Sequence, residues 1–174
     1  MGYRSRIGAV FSVDGYTDNE PESDDVLHDR ITKYKEMIGL IKLSKFYELM
    51  TLTDRDRTCI GWKGGEFFFH AQDWKWYPDY DIVMAWDELW EQMQAVEGIS
   101  GYFCRVGEEL NDIVQDSWGD EPDFDAFYPH TYMSCEVSDD NFGSGDIDKE
   151  LEELTLLANT KGSEPCMDNN ATQA

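Results

Sequence analysis

The first legible period in the chain is two. Ile7, Ala9, Phe11 and Val13 alternate with Gly8, Val10 and Ser12, the pattern of a strand that turns one face to a core. Turn-forming residues follow in DGYTDNEPES, which reads as a polar loop. The period then changes to that of a helix. Leu27, Ile31, Tyr34 and Ile38 recur at i, i+4, i+7 and i+11 behind Ser23, an N-cap residue. Asp24 and Asp25 occupy the first turn, where carboxylates complement the helix dipole. Gly39 either ends this helix or is crossed by it, because LIKLSKFYELM continues with helix formers. A second short helix is expected near 44–50.

TCIGW and EFFFHA flank Lys63-Gly64-Gly65, whose glycines supply the positive φ that tight hairpin turns require. An aromatic run, Trp74 to Tyr77, leads through Pro78 into a helix expected from about Asp79 or Asp81. In it Ile82, Trp86, Leu89, Met93 and Val96 form one apolar stripe, and Gly98 is a suitable C-cap. GYFCRVG and DIVQDSW read as two further strands around a Gly-Glu-Glu turn, and Thr131, Met133, Cys135 and Val137 alternate in another candidate strand. The order β-α-β-β-α-β-β predicts an α+β fold, a largely antiparallel sheet covered by two main helices in a ferredoxin-like arrangement, with an acidic C-terminal extension. Residues 1–118 form the expected core domain, 119–142 an acidic loop and strand joined to it, and 143–174 a short helix, with Leu151, Leu154 and Leu157 on one side, and a mobile tail.

Composition agrees with one folded domain. The 174 residues suffice for a single buried core, and a content of 41% hydrophobic and 14% aromatic residues exceeds what disordered chains carry. Four cysteines without a CxxC pair, and no signal peptide in MGYRSRIGAVFSVDG, predict reduced thiols and a cytoplasmic location. No apolar run reaches the ~18 residues of a transmembrane helix.

Charge changes the picture more. The formal net charge is -23 and it is lopsided: residues 1–105 hold 12 Lys/Arg against 19 Asp/Glu, a net of -7, whereas residues 106–174 hold 2 against 18, a net of -16. Direct contact with nucleic acid or an anionic membrane is disfavoured, because both require a basic patch. A basic protein partner is favoured instead. Candidates for an acidic contact surface are Asp112, Asp116, Asp120 and Glu121, continued by Asp123, Asp125, Asp139 and Asp140. The bland alternative is that these carboxylates keep the protein soluble.

Eight of the 24 aromatic residues fall between Trp62 and Tyr80. In a hairpin Phe67 and Phe69 point one way and Phe68 the other, and only one face can meet the core. Phe68, Trp74 and Trp76 are therefore candidates for an exposed contact patch, against the alternative that the surplus aromatic surface packs under a loop, a second layer or the C-terminal helix.

No catalytic signature is present. Asp139–Glu150 has the length of an EF-hand loop, but Ser144 stands at the sixth position, where a glycine makes the turn, and Gly143 at the fifth offers no side-chain oxygen, so an acidic linker is expected. Asp120 to Asp125 lacks a second set of ligands. His70 and His130 with Cys104 and Arg105 could line a pocket on the sheet, yet their spacing does not require it. No phosphate loop, dinucleotide fingerprint or nucleophile elbow occurs. No metal or cofactor is expected, and the chain does not read as an enzyme.

MGYRSRIGAV, KWYPDYDIVMAWDELW and GYFCRVGEELNDIVQDSWG together resemble a group of small proteins encoded by bacteriophages and prophages. That group begins Met-Gly-Tyr-Arg-Ser, carries Lys-Trp-Tyr before a helix, and has Arg-(Val/Ile)-Gly-Glu-Glu followed by Asp-Asp or Asn-Asp and Ile. The resemblance covers roughly residues 1–118; it implies a phage origin and carries over no catalytic residue. The leading expectation is a phage accessory protein that binds and inhibits a bacterial host or anti-phage defence protein in the host cytoplasm, in its sharpest form by DNA mimicry. The alternatives are a virion structural or assembly component, and a small-molecule-binding protein or enzyme with a pocket on the sheet.

Overall fold

A computed structural model describes residues 4–14, 23–51, 58–63, 65–109, 111–119, 127–130, 134–137, 149, 151–152 and 155–156. Its element order is β1 (Ser5–Val13), α1 (Asp24–Leu43), α2 (Lys45–Thr51), β2 (Thr58–Lys63), β3 (Glu66–Trp74), α3 (Asp81–Gln94), β4 (Ile99–Gly107), β5 (Ile113–Trp118), β6 (Phe127–His130) and β7 (Ser134–Val137). The first five strands form one antiparallel sheet in the order β2-β3-β1-β4-β5, and β6 and β7 form a separate hairpin. The fold is α+β. In β2-β3-β1-β4 each helical crossover spans one intervening strand, the split β-α-β connection expected from the sequence, and β5 extends the sheet beyond β4.

Local chemistry explains the helix limits. Ser23 caps α1, its hydroxyl accepting from the Val26 N–H at 3.4 Å. The helix crosses Gly39, where there is open space, and Lys42 lies in its last turn, suited to the negative end of the dipole. Ser44 then serves both helices. Its hydroxyl donates to the Ile41 carbonyl at 2.6 Å and accepts from the Tyr47 N–H at 3.1 Å. This single hinge residue separates α1 from the short α2.

The helical layer packs on one face of the sheet. That face presents Ile7, Ala9, Phe11 and Val13 from β1, Phe67 and Phe69 from β3, and Phe103 from β4, all buried. Strand register aligns Trp62, Phe67, Phe11, Gly101 and Trp118 in one row across all five strands. Above them lie Tyr34, Met37 and Ile41 of α1, Phe46 of α2, and Trp86 and Leu89 of α3. Trp86 is the hub, with ring centroids 5.0–5.6 Å from Phe46, Phe11, Phe69, Phe103 and Trp90.

The opposite face of the sheet is also covered. Val10, Phe68 and Cys104 are buried there, and β7 runs against β1. Burial on both faces is why β1 and β3 carry near-continuous apolar runs instead of strict alternation. β6 includes Pro129 and was not marked by any sequence period. Helical residues near the C-terminus also reach the core: Leu151 packs against it, and Lys35 donates to the Thr155 hydroxyl at 3.1 Å. The loop at 15–22, the strand start at Thr131 and Met133, the Asp139–Glu150 segment as a whole and the tail beyond 156 lie outside the described residues.

Gly101 is required by its neighbour. A Cβ there would stand 2.1 Å from the Trp118 ring, which folds across β4, donates from Nε1 to the Ile99 carbonyl at 3.0 Å and meets the Trp90 ring edge-on at 4.4 Å. Gly101→Ala should therefore displace that indole and cost about 1–3 kcal/mol of stability, read by denaturant unfolding together with a shift in tryptophan emission. An unchanged midpoint would show that Trp118 has another place to go.

Candidate functional site

The helix-bearing face does not close completely. Between α3, β4, β5 and the segment 76–78 lies a cleft of about 470 Å³. Its floor is formed by buried rings of the aromatic core, Trp86, Trp90 and Phe103, with the Trp76 ring 5.9 Å from Phe103. Tyr77 and Pro78 rim one side and Val114 the other. Four ionisable groups, Asp87, Arg105, Asp112 and Asp116, complete the lining.

The turn after β4 determines how two of these groups are used. Asn111 takes φ 69, and the Gly107 N–H donates to the Asp112 carbonyl at 2.8 Å, which folds Asp112 back toward β4. Arg105 Nη1 and Nη2 then donate to Asp112 Oδ2 and Oδ1 at 2.9 and 2.8 Å. This bidentate pair joins β4 to the start of β5 and neutralises its own charge locally. Burial lowers the pKa of Arg105 from its ordinary value, but arginine stays protonated at any physiological pH.

Asp116 is fixed differently. Trp90 Nε1 donates to its Oδ2 at 2.9 Å and the Ser117 N–H donates to its Oδ1 at 2.9 Å. Both donors are neutral groups. Asp87, on the neighbouring helical wall, has its pKa raised, first by burial and then by Glu91 one turn further on. Among the described residues neither Asp87 nor Asp116 has an ion-pair partner. The cleft thus carries three carboxylates against one guanidinium, over aromatic faces whose quadrupoles also favour positive charge.

β5 continues the site outward. It is the last strand of the sheet, its outer side pairs with no described strand, and Ile113 and Val114 are 40% and 43% exposed. A second cleft of about 770 Å³ lies on the other side of the Trp76 segment, between Trp74, Tyr80 and Ile82, but its lining mixes Arg4 and Lys75 with Asp73, Asp79 and Asp81. It has no comparable charge bias.

The residues singled out in the sequence divide clearly. Asp112 and Asp116 meet at the cleft; Asp120, Glu121, Asp123, Asp125, Asp139 and Asp140 lie outside the described residues. Of the aromatic candidates, Trp76 lines the cleft and Trp74 is half-buried, edge-on to Phe69 at 5.9 Å. Phe68 is 2% exposed and presents no surface to a partner. His70 and Cys104 flank Gly8 on the opposite face of the sheet from Arg105, so a pocket joining all three does not form. Among the described residues no group of three or more His, Cys, Asp or Glu side chains is placed to hold a metal ion, and no helix is long and apolar enough to cross a membrane. Sequence reasoning passed over Asp87 and Trp90. Trp90 follows Trp86 by one turn, which signalled a wider apolar stripe, but its bond to Asp116 depends on strand register.

No protein-family model matches the chain, and no curated protein or solved structure matches it.

The Asp87 shift has a definite sign. A carboxyl whose pKa is higher in the folded chain than in the unfolded one destabilises the fold once both are ionised, and that cost disappears as acid protonates it. Asp87→Asn should raise Tm at pH 7, on the order of 1–3 °C for a partly solvated group. The gain should vanish below about pH 4, the ordinary carboxylate value; a gain constant from pH 3 to 7 would refute a charge origin.

Proposed function

We propose that this chain is a non-enzymatic accessory protein of the phage-encoded kind that binds a basic bacterial protein and inhibits it, acting in the host cytoplasm on a defence or nucleic-acid-processing factor. The observation that carries the reading is the outer edge of β5, which pairs with no described strand and lies beside Asp112 and Asp116. An unpaired edge strand offers a row of backbone donors and acceptors to an extended segment of another protein, and pockets beside it select alternate side chains. The net charge of -23 selects the sign of that partner and speeds encounter with it.

Strand docking is the form of inhibition favoured over imitation of duplex DNA. A charge array that mimics phosphates needs carboxylates free to meet a basic cleft. Asp112 is already bound by Arg105, and Asp116 is anchored by Trp90. These two acidic groups serve better as fixed parts of a docking site than as members of an extended anionic surface.

Lysines at both Ile113 and Val114, the second of which also lines the cleft, test this margin of β5. The two side chains are exposed, so the double variant should fold with an unchanged circular dichroism spectrum, while repelling a basic strand. Bacterial proteins retained by the native chain at low salt, and released near 1 M salt where screening acts within about 3 Å, should be absent from eluates of the variant. Identical retention by both proteins would exclude the edge as the binding surface.

A further inference from the structure

The cleft and the β5 edge are on the same side of the molecule for a reason set by strand geometry. Ala9, Phe103 and Asp116 occupy one row across β1, β4 and β5 and face the helices. A strand added outside β5 would alternate its side chains between the two faces. The residue opposite Asp116 would continue that row and turn toward the cleft.

We propose that the cleft is a receptor for one arginine side chain carried at that position by the partner strand, an inference that rests on the edge docking described above. Charge favours it first. Asp112 already engages Arg105, which leaves Asp87 and Asp116 as two carboxylates with no ion-pair partner among the described residues. Shape favours it next. A volume of about 470 Å³ is in the range of pockets for organic groups and far exceeds the space needed by a bare ion. Its walls combine half-buried Trp76 and Tyr77 rings with carboxylates. A planar guanidinium stacks on aromatic faces while its fork meets a carboxylate, whereas lysine supplies a strongly hydrated point charge. Pre-organisation favours it last: Asp116 is held by the Trp90 indole and the Ser117 N–H before any ligand arrives, so little ordering is left for binding to impose.

The test uses the full chain and follows the Trp90 indole N–H resonance, which reports on Asp116 directly. The probes are an acetylated, amidated Thr-Val-Arg-Val-Thr peptide and its citrulline counterpart, which keeps the shape of arginine without its charge. The arginine peptide should shift the resonance and bind at least about tenfold more tightly, the size of one charge-assisted hydrogen bond. Asp116→Asn removes the charge and keeps an acceptor oxygen for Trp90; in that variant the preference for arginine should collapse while the spectrum stays folded. Equal binding of the two peptides would overturn the arginine receptor and leave edge docking intact. A shift caused by arginine methyl ester with no binding of either peptide would support the guanidinium site and remove edge docking. Tighter binding of tetramethylammonium than of every guanidinium probe would overturn the assignment in favour of a small organic cation, and a resonance unmoved by any probe would overturn it outright.

Discussion

The packing of Trp86 against the sheet is the constraint on which the rest of the structure depends. One indole from the middle of α3 meets rings from β1, β3, β4 and α2 within 5.0–5.6 Å. Aromatic side chains bury about 150–250 Å² each and bring preferred ring geometries with them, so this contact positions α3 in both height and rotation. Trp90, one turn later, is then directed toward β5, where its N–H reaches Asp116. The core and the cleft are the same aromatic cluster seen at its centre and at its margin.

Much of the fold was legible because each element had its own local cause. Period-2 alternation identified β1, the double glycine marked the β2–β3 hairpin, Ser23 marked the start of α1, and the Trp86 stripe marked α3. Phe68 was misjudged as a contact candidate for a physical reason: a strand covered on both faces and one covered on a single face differ in what lies beyond the sheet, and no local period encodes that. β6 escaped because Pro129 interrupts the strand signal, and proline belongs at edges and irregular positions.

The site was less legible than the fold. Asp112 and Asp116 were marked by charge alone, and Arg105 was considered only as a possible pocket residue. Their roles arise from tertiary contacts, Arg105 with Asp112 across the turn after β4 and Trp90 of α3 with Asp116 of β5. The first crosses a turn and the second joins residues 26 positions apart, so neither lies within one helix or strand. The aromatic concentration between Trp62 and Tyr80 was visible from the outset, and its use is now divided: Phe67, Phe68 and Phe69 are interior, whereas Trp76 and Tyr77 frame the cleft.

The exposed margin of β5 also bears on how the protein behaves in a crowd of its own copies. A strand with Ile113 and Val114 exposed and an outer edge that pairs with no described strand is a template for another copy of itself. At neutral pH two such chains approach with a charge of -23 each, and mutual repulsion guards the edge in the way that lysines or prolines guard the edges of other sheets. The acidity is then a colloidal safeguard. Any condition that discharges the carboxylates removes that safeguard and leaves the strand self-adhesive.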